Sequence, residues 1–541
     1  MNAYLNSSLI LLTLAWPLLL VVLMGLPVLR SAMLRLMPLA AVPALLLGMW
    51  SMPELHSILI RPLLLGSELG LDGTGRLFLL SSSLVWLLVG IYARSYFADR
   101  ETLTRFSFFY LLTLTGNLAV ILAQDILVLS TGLALMSFSA YGLIVGKGEH
   151  SALRAGRIYI ILVVLAELLL FEAILMAAQV ANSTSLADIR PALAASDSRD
   201  LIMLLALLGF GIKVGVVGLH VWLPVSLSAA SLPVSTLIAT TMIKAGLLAA
   251  LQFLPLGYLP IAGWGESLII IGLLSIVYAA GVGLTQQRAR TVLAYSSMVQ
   301  TGLIVSILGL GFLLPTLWPV LLVAITGYTL HLGLTTAALF LGLGSDIPKL
   351  SRRIWLAMWL PSLSLAGAPV AGGVIVLALV NTQAGSAPAP WNTLVSVALT
   401  VTTLLSSLLM VRLLYLVRPV TGQISVSRKP GLLWPWIVNL VLMMILPWRL
   451  LIDLHPVSLS LAWQTLWPVV TAVILALLGI RVASTVKLPV FPEGDILIGL
   501  EKLGCRLLQW FNVLSEYVFV LQQKTRNVAK QLQVLITDKL H

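Results

Sequence analysis

The chain has 541 residues, of which 59% are hydrophobic and only 10% are charged, and its formal net charge is +12. Soluble domains carry about 25% charged residues, so this composition excludes a soluble globular protein and predicts a polytopic membrane protein. The single cysteine, Cys505, excludes a disulfide framework within the chain and a cysteine-based zinc or iron–sulfur centre. No cofactor or metal motif is present, so we expect no cofactor and no redox centre in this chain.

Apolar stretches of about 20 residues, the length that crosses a bilayer, recur along the chain and predict about 14–15 transmembrane helices. The first stretch has no basic residue before it, so we expect a retained span rather than a signal peptide. In chain order the predicted spans are 8–29, 33–52, 76–97, 106–123, 126–146, 157–178, 200–222, 232–254, 264–284, 292–312, 316–343, 353–380, 391–418, 432–452 and 457–480.

The basic residues of the connecting loops are distributed asymmetrically. Loops after even-numbered spans hold mainly Arg61, Arg190, Arg199 and Arg449. Loops after odd-numbered spans hold Arg30, Arg35, Arg94, Arg100, Arg105, Lys147, Arg154, Arg157, Arg288, Arg290, Lys349, Arg352, Arg353, Arg418, Arg428 and Lys429. Cytoplasmic loops carry the excess of Lys and Arg, so we expect the N-terminus outside and the C-terminus in the cytoplasm, in a bacterial or archaeal cytoplasmic (inner) membrane.

The last segment, 483–541, has a different pattern. Apolar residues recur at steps of three and four from Leu500 to Leu535, with polar residues between them. This spacing predicts a cytoplasmic amphipathic helix that lies on the membrane surface or on partner subunits. Packing on loops of the same chain is an alternative.

Several ionisable residues lie inside predicted spans, where each is costly and therefore a functional candidate. Lys213 and His220 are seven residues apart and share one helix face. We expect Glu167 and Lys244, on the neighbouring spans, to complete one inward cluster that relays protons. A hydrogen-bonded structural role for the histidines, and snorkelling or a partner contact for Glu172 and Arg412, are alternatives. The full set is Glu167, Glu172, Lys213, His220, Lys244, His331 and Arg412.

Proline and glycine interrupt predicted spans 7–8, at Pro224 and Pro233, and predicted span 12, over 360–373. Interrupted spans in equivalent positions are typical of transporters built from inverted repeats. We therefore expect N-terminal helices over 1–105, a first repeat over 106–254, a second repeat over 255–418 and C-terminal helices over 419–482.

Five motifs carry a resemblance to a known family. They are "GLDGTGRLFLL" around Asp72, "KVGVVGLHVWLPVSLSAASLPVSTLIATTMIKAG" from Lys213, "RTVLAYSS" from Arg290, "LHLGLTTAALFLGLGS" around His331, and "LAGAPVAGG" after Leu365. Together they resemble the antiporter-like, proton-translocating membrane subunits of complex I, group 4 membrane-bound hydrogenases, formate hydrogenlyase and multi-subunit cation/proton antiporters, with the hydrogenase-4 component B type most similar. The resemblance covers roughly residues 70–380.

The resemblance implies an all-α membrane protein with two inverted five-helix repeats and broken helices 7 and 12. It also implies membrane partner subunits and peripheral redox subunits, with no nucleic acid partner. The proton-translocation residues it implies, together with the membrane-embedded charges above, are Lys213, Lys244, Glu167, His220 and His331. The chain would then couple electron transfer in other subunits to proton movement, without being catalytic itself.

The chain departs from the family pattern at five positions. Ala134 stands in place of the glutamate of span 5, Thr335 and Leu377 in place of later lysines, Arg290 in place of another lysine, and Gly218 in place of proline. Two hypotheses follow: Glu167 supplies the missing carboxylate to Lys213, or the chain is a non-pumping scaffold. A subunit of a non-redox cation/proton antiporter or of an inorganic-carbon uptake system is a further alternative.

Overall fold

A computed structural model describes residues 2–50, 56–60, 66–146, 148–344, 350–369, 372–419, 429–452 and 459–483, and isolated positions beyond. Residues Met1–Glu493 form one compact unit and Gly494–His541 a second. The amphipathic helix predicted over 483–541 lies almost entirely outside the described residues, so it stays a prediction.

The first half of the chain begins with helices that surround a short hairpin. The hairpin strands β1 (His56–Ile60) and β2 (Ser67–Leu71) are antiparallel, with His56 opposite Leu71. The helices of this half are α1 (Asn2–Met24), α2 (Arg30–Leu36), α3 (Val42–Trp50), α4 (Gly73–Tyr96), α5 (Arg100–Leu122), α6 (Ile126–Val145), α7 (His150–Ala181), α8 (Leu186–Ala194), α9 (Arg199–Val214), α10 (Trp222–Ala229), α11 (Leu232–Leu237) and α12 (Ile243–Phe253). A 3₁₀ turn, Met37–Ala41, joins α2 to α3, and a π-helical turn, Ile238–Met242, joins α11 to α12.

The second half repeats the pattern of long helices with one interruption. Its helices are α13 (Ala262–Thr285), α14 (Ala289–Leu313), α15 (Trp318–Leu343), α16 (Arg352–Leu365), α17 (Gly373–Ala384), α18 (Trp391–Leu416), α19 (Pro430–Leu451) and α20 (Leu459–Ala483). A short 3₁₀ turn, Pro315–Leu317, precedes α15.

Twelve helices among the described residues are long and apolar enough to cross a membrane. Predicted spans 7 and 12 are not among the twelve because each is broken in two, as α9 with α10 and as α16 with α17. The apolar stretch Trp463–Gly479 of α20 is shorter and supplies the last predicted span. The structure therefore confirms an all-α polytopic fold with broken helices 7 and 12. The hairpin and α8 were not predicted from the sequence.

Three of the long helices begin at an aspartate whose carboxylate accepts a backbone N–H from the first turn. Asp72 accepts from Gly75 at 2.6 Å, and Asp99 and Asp125 accept at 2.7 Å from Thr102 and Val128. A carboxylate at this position satisfies a donor that the helix itself leaves unpaired. The "LDG" motif at the start of α4 is thus explained as a helix cap.

Helices α13 and α14 pack through glycines at backbone contact. A Cβ atom on Gly309 would lie 2.5 Å from the carbonyl oxygen of Gly265, and one on Gly272 would lie 2.5 Å from the carbonyl oxygen of Gly302. Small residues let membrane helices approach closely where apolar burial from water does not drive association.

We expect Gly309→Leu to lower the free energy of unfolding by about 3 kcal/mol, the upper end of the usual cost of overpacking, because the added side chain meets backbone that cannot move aside. The matched control is Gly281→Leu on α13, where a Cβ has no neighbour within 4 Å. Thermal melting of the two purified variants in detergent measures the difference. Equal melting temperatures would contradict the packing.

Candidate functional site

The first broken helix is interrupted between the end of α9 at Val214 and the start of α10 at Trp222. Gly215 and Gly218 both have positive φ, 75° and 85°, a conformation that favours glycine. The freed backbone N–H of Val217 donates to the hydroxyl of Ser275 on α13 at 3.1 Å. Gly218 stands where the family has proline. Its positive φ at the break is a conformation that proline cannot adopt.

A buried ion pair lies directly before this break. The Nζ of Lys213, in the last turn of α9, is 2.7 Å from the Oε1 of Glu167 on α7. The same Nζ donates to the Oγ of Ser137 on α6 at 2.8 Å. The side chains of Lys213 and Glu167 are 5% and 16% exposed, so water screens the pair little. The ammonium also lies at the C-terminal end of α9, where the helix dipole favours a positive charge.

Two aromatic residues hold the groups around the pair in place. The hydroxyl of Tyr159 donates to the backbone carbonyl of Ser137 at 3.0 Å. The indole Nε1 of Trp222 donates to the carbonyl of Ile212 at 2.7 Å, and its ring packs edge-on against Tyr159 with centroids 5.3 Å apart. Ser137, Tyr159 and Trp222 were not singled out by sequence analysis. The only feature of the sequence that marks these three residues is a polar group within an apolar span. Many residues with a purely structural role have the same feature.

Ala134 and Glu167 lie on the walls of the same cavity. This cavity has a volume of about 220 Å³ and lies between α6 and α7. A glutamate at position 134 would therefore place its carboxylate in the same cavity as the side chain of Glu167. The contact that the Glu167 hypothesis requires is present, although it comes from α7 rather than from α6.

The other two members of the predicted cluster lie apart from the ion pair. His220 is fully buried, and its ring centroid is 5.3 Å from that of Tyr278 and 6.4 Å from that of Tyr295. Lys244 is buried on α12, just after the π-helical turn, and forms no ion pair with any described residue. Of the four residues of the predicted cluster, Lys213 and Glu167 are therefore the two that the structure joins in an ion pair.

Lys244 lines a small polar cavity of about 10 Å³, about the space of one water molecule. Asn117, Thr240 and Thr241 line the same cavity. Helix α12 also packs closely on α9, because a Cβ on Gly246 would lie 3.1 Å from the Cβ of Lys213. Lys244 therefore has hydroxyl and amide neighbours where Lys213 has a carboxylate.

The second broken helix lies against neutral groups. His331 on α15 is buried and stacks on Tyr328 with centroids 6.2 Å apart, and a Cβ on Gly373, the first residue of α17, would lie 2.6 Å from its Nε2. The hydroxyls of Thr335 and Ser364 are 3.4 Å apart. Leu377, where the family has a lysine, is buried in α17.

A hydrogen-bonded group of neutral side chains joins three helices of the second half. The hydroxyl of Tyr328 donates to the Oε1 of Gln300 at 2.5 Å, and the Nε2 of Gln300 donates to the Oγ of Ser406 at 2.9 Å. Neither partner of Gln300 carries a charge, so this group differs chemically from the Lys213–Glu167 pair.

Two arginines bind backbone carbonyls. Arg290 donates through Nη1 to the carbonyl of Ala230 at 2.9 Å, at the end of α10. Arg412 donates to the carbonyl of Gln286 at 2.9 Å and 3.2 Å, so its guanidinium reaches the link between α13 and α14, as snorkelling predicts. Among the described residues, no group of three or more His, Cys, Asp or Glu is placed to bind a metal.

The bundle of membrane-spanning helices contains two broken helices, and the Lys213–Glu167 pair lies next to the first of them. Residues 123–352 match the family model described as "NADH:quinone oxidoreductase/Mrp antiporter, TM". This match spans α6 to α15 and contains the ion pair. It confirms the resemblance that the sequence motifs indicate.

Two curated relatives of different kinds are similar to the chain. Hydrogenase-4 component B of Escherichia coli is 26% identical over 293 residues, which cover 52% of this chain and 44% of that protein. NADH-quinone oxidoreductase subunit N of Paraburkholderia phymatum is 30% identical over 222 residues, which cover 40% of this chain and 45% of that protein. The chain thus matches less than half the length of these relatives.

A solved structure of the Mrp complex from Dietzia sp. contains a chain with the same fold. Its TM-score is 0.77 at 19% sequence identity, and the match covers 93% of this chain and 60% of that one. The likeness confirms the fold over nearly the whole chain. Together with the apolar spans, it shows a multi-pass membrane protein.

Proposed function

We propose that this chain is the antiporter-like membrane subunit of a multi-subunit respiratory or hydrogenase-type oxidoreductase complex. In this proposal peripheral redox subunits carry the electron transfer, and the chain couples it to proton translocation. The observation that carries the proposal is the 2.7 Å contact between Lys213 and Glu167 at a helix break. An intramembrane ionisable pair at such a break is a functional site by default.

The geometry of the pair suits proton exchange. The Nζ of Lys213 donates directly to the Oε1 of Glu167 at 2.7 Å, which is within the distance over which a proton passes between two groups. The backbone unwinds directly after Val214, one residue beyond Lys213. In this proposal His220 and Lys244 are the next groups along the path, and His331 is a more distant one.

The second half supports a shorter path than the family pattern. Thr335 and Leu377 replace lysines, and Gln300 forms hydrogen bonds with neutral partners. We therefore propose that proton exchange is concentrated in the first repeat, 106–254, and that the second repeat, 255–418, mainly supports the fold. The loop charges support a cytoplasmic C-terminus and an external N-terminus.

A second candidate function is a subunit of a non-redox cation/proton antiporter or of an inorganic-carbon uptake system. The similarity of the fold to that of a chain in the Mrp complex supports this second candidate function. A purely structural scaffold is the third candidate, and the neutral second half favours it.

Purification of the intact complex from native membranes separates these candidates. We expect iron–sulfur or nickel subunits to co-purify, and Lys213→Ala to reduce proton translocation by the complex in vesicles at least about tenfold, about 1.4 kcal/mol on the barrier. Glu101→Gln, in the exposed surface pair with Arg105, is the control. Absence of redox subunits would exclude the oxidoreductase role, and unchanged translocation by Lys213→Ala would exclude the relay.

A further inference from the structure

The outer face of α7 combines a lipid-type surface with a charge. Glu172 is exposed on the same face as apolar side chains that are also exposed: Ile161, Val164, Leu165, Leu168, Phe171 and Leu175. Glu172 forms no hydrogen bond or ion pair with any described residue. An exposed carboxylate within an apolar helix face calls for a partner outside the described chain.

The position of Glu172 along α7 places it inside the hydrocarbon core. Arg154 and Arg157 lie in the first turns of the helix, at the end that the loop charges predict to be cytoplasmic, and the helix continues to Ala181. At 1.5 Å per residue, Glu172 lies about 22 Å beyond Arg157 and about 14 Å before Ala181. A carboxylate at this depth has no water to solvate it, and its short side chain cannot reach the surface as lysine or arginine can.

The outer face of α13 shows what a lipid-facing surface looks like in the same protein. Its exposed side chains near the middle of the helix are Ile270, Ile271, Leu274 and Val277, all of them aliphatic. Helix α7 departs from this pattern through Glu172.

A recess lies beside the charged face. The cavity between α6 and α7 is lined by the exposed residues Phe138, Leu168 and Phe171, and Glu167 lies on its wall. Ala134 leaves this space open because its side chain is small. The recess can therefore receive a bulky apolar side chain from a neighbouring helix.

We propose that the outer face of α7 is the docking surface for a transmembrane helix of a partner subunit. That helix places a lysine or arginine opposite Glu172 and an apolar side chain against the exposed rings of Phe138 and Phe171 that line the recess. The inference rests on the proposed role as a subunit of a membrane complex. Charge complementarity selects this occupant, since a lipid acyl chain offers no hydrogen-bond donor to Glu172.

A second copy of this chain is a poorer occupant of the same face. Two copies packed through α7 about a two-fold axis would bring their Glu172 carboxylates toward one another, and like charges repel strongly away from water. A basic helix from a different subunit removes the charge from lipid without this cost.

Site-directed crosslinking in the intact complex tests the occupant. A photoreactive benzophenone amino acid is placed at Leu168 or Leu175, and at Leu274 as the lipid-facing reference. We expect the two α7 positions to crosslink to a membrane-spanning peptide that contains lysine or arginine in another subunit of the complex, mapped by mass spectrometry. Crosslinks only to lipid, or only to a second copy of this chain, would overturn the proposal.

Charge exchange then tests the pairing. We expect Glu172→Lys to lower the recovered ratio of partner to chain at least about tenfold, with the chain still present in the membrane. Replacing the mapped basic residue of the partner with glutamate should restore the ratio, and Leu274→Lys is the control for adding a lysine to a span. An unchanged ratio, or no restoration, would refute the docking surface. Proton translocation that depends on Lys213 would remain intact in that case, so the two proposals fail separately.

Discussion

We expect replacement of Glu167 with glutamine to lower the proposed proton translocation at least about tenfold, or about 1.4 kcal/mol on the barrier, and addition of Ala134→Glu to the same chain to restore most of it. Glutamine keeps the size of the side chain and a hydrogen-bond acceptor, but it cannot hold a negative charge that responds to the proton on Lys213. The restoring carboxylate enters from α6, because Ala134 and Glu167 line one cavity.

The double variant distinguishes a relay from a packing role. If Glu167 only fills space, the glutamine variant translocates protons normally, and that result would contradict the relay. If the carboxylate must come from α7, Ala134→Glu fails to restore translocation. Ala134→Gln in the Glu167→Gln background is the matched control, because it adds the same volume without the charge. Vesicles that contain the purified complex and a pH-sensitive dye provide the measurement.

We expect Lys213→Met to destabilise the protein by about 3–5 kcal/mol, because it leaves Glu167 in a mostly buried site without its partner. The double variant Lys213→Met, Glu167→Leu recovers most of this loss, since it removes both charges from the low-dielectric interior. Thermal unfolding of purified variants in detergent, followed by intrinsic fluorescence, gives the ranking.

The exposed pair Arg105–Glu101 is the control for the stability series. Its side chains are 51% and 82% exposed, so Arg105→Met should change the free energy of unfolding by no more than about 1 kcal/mol. A double variant at Lys213 and Glu167 as unstable as the single variant would show that the two charges do not stabilise each other. Together, the stability and translocation measurements distinguish an ion pair that only stabilises the fold from one that also transfers protons.

The sequence by itself determined the class of protein and the order of its spans. The charge deficit and the recurring apolar stretches of about 20 residues indicated a bundle of membrane-spanning helices. An α-helix forms all of its backbone hydrogen bonds within one segment, which is what lipid requires. Proline and glycine indicated breaks in spans 7–8 and 12. The structure breaks helix 12 between α16 and α17, as expected, but it breaks helix 7 at Gly215 and Gly218, whereas Pro224 lies inside α10. The sequence also identified Lys213, Lys244 and Glu167 as functional candidates, because an ionisable side chain inside a membrane span carries an unfavourable transfer free energy.

Only the tertiary structure decided which of these residues meet. Glu167 and Lys213 are 46 positions apart and lie on separate helices, so their 2.7 Å contact depends on how α7 and α9 rotate about their axes. The same rotation leaves Glu172, five residues along α7, on the outer surface rather than in the bundle. Spacing within one helix predicts a shared face, but the direction of that face is set by packing between helices. For this reason the sequence predicted a cluster of four groups, whereas the structure joins two of them in an ion pair, packs His220 against Tyr278 and places Lys244 beside Asn117 and two threonines.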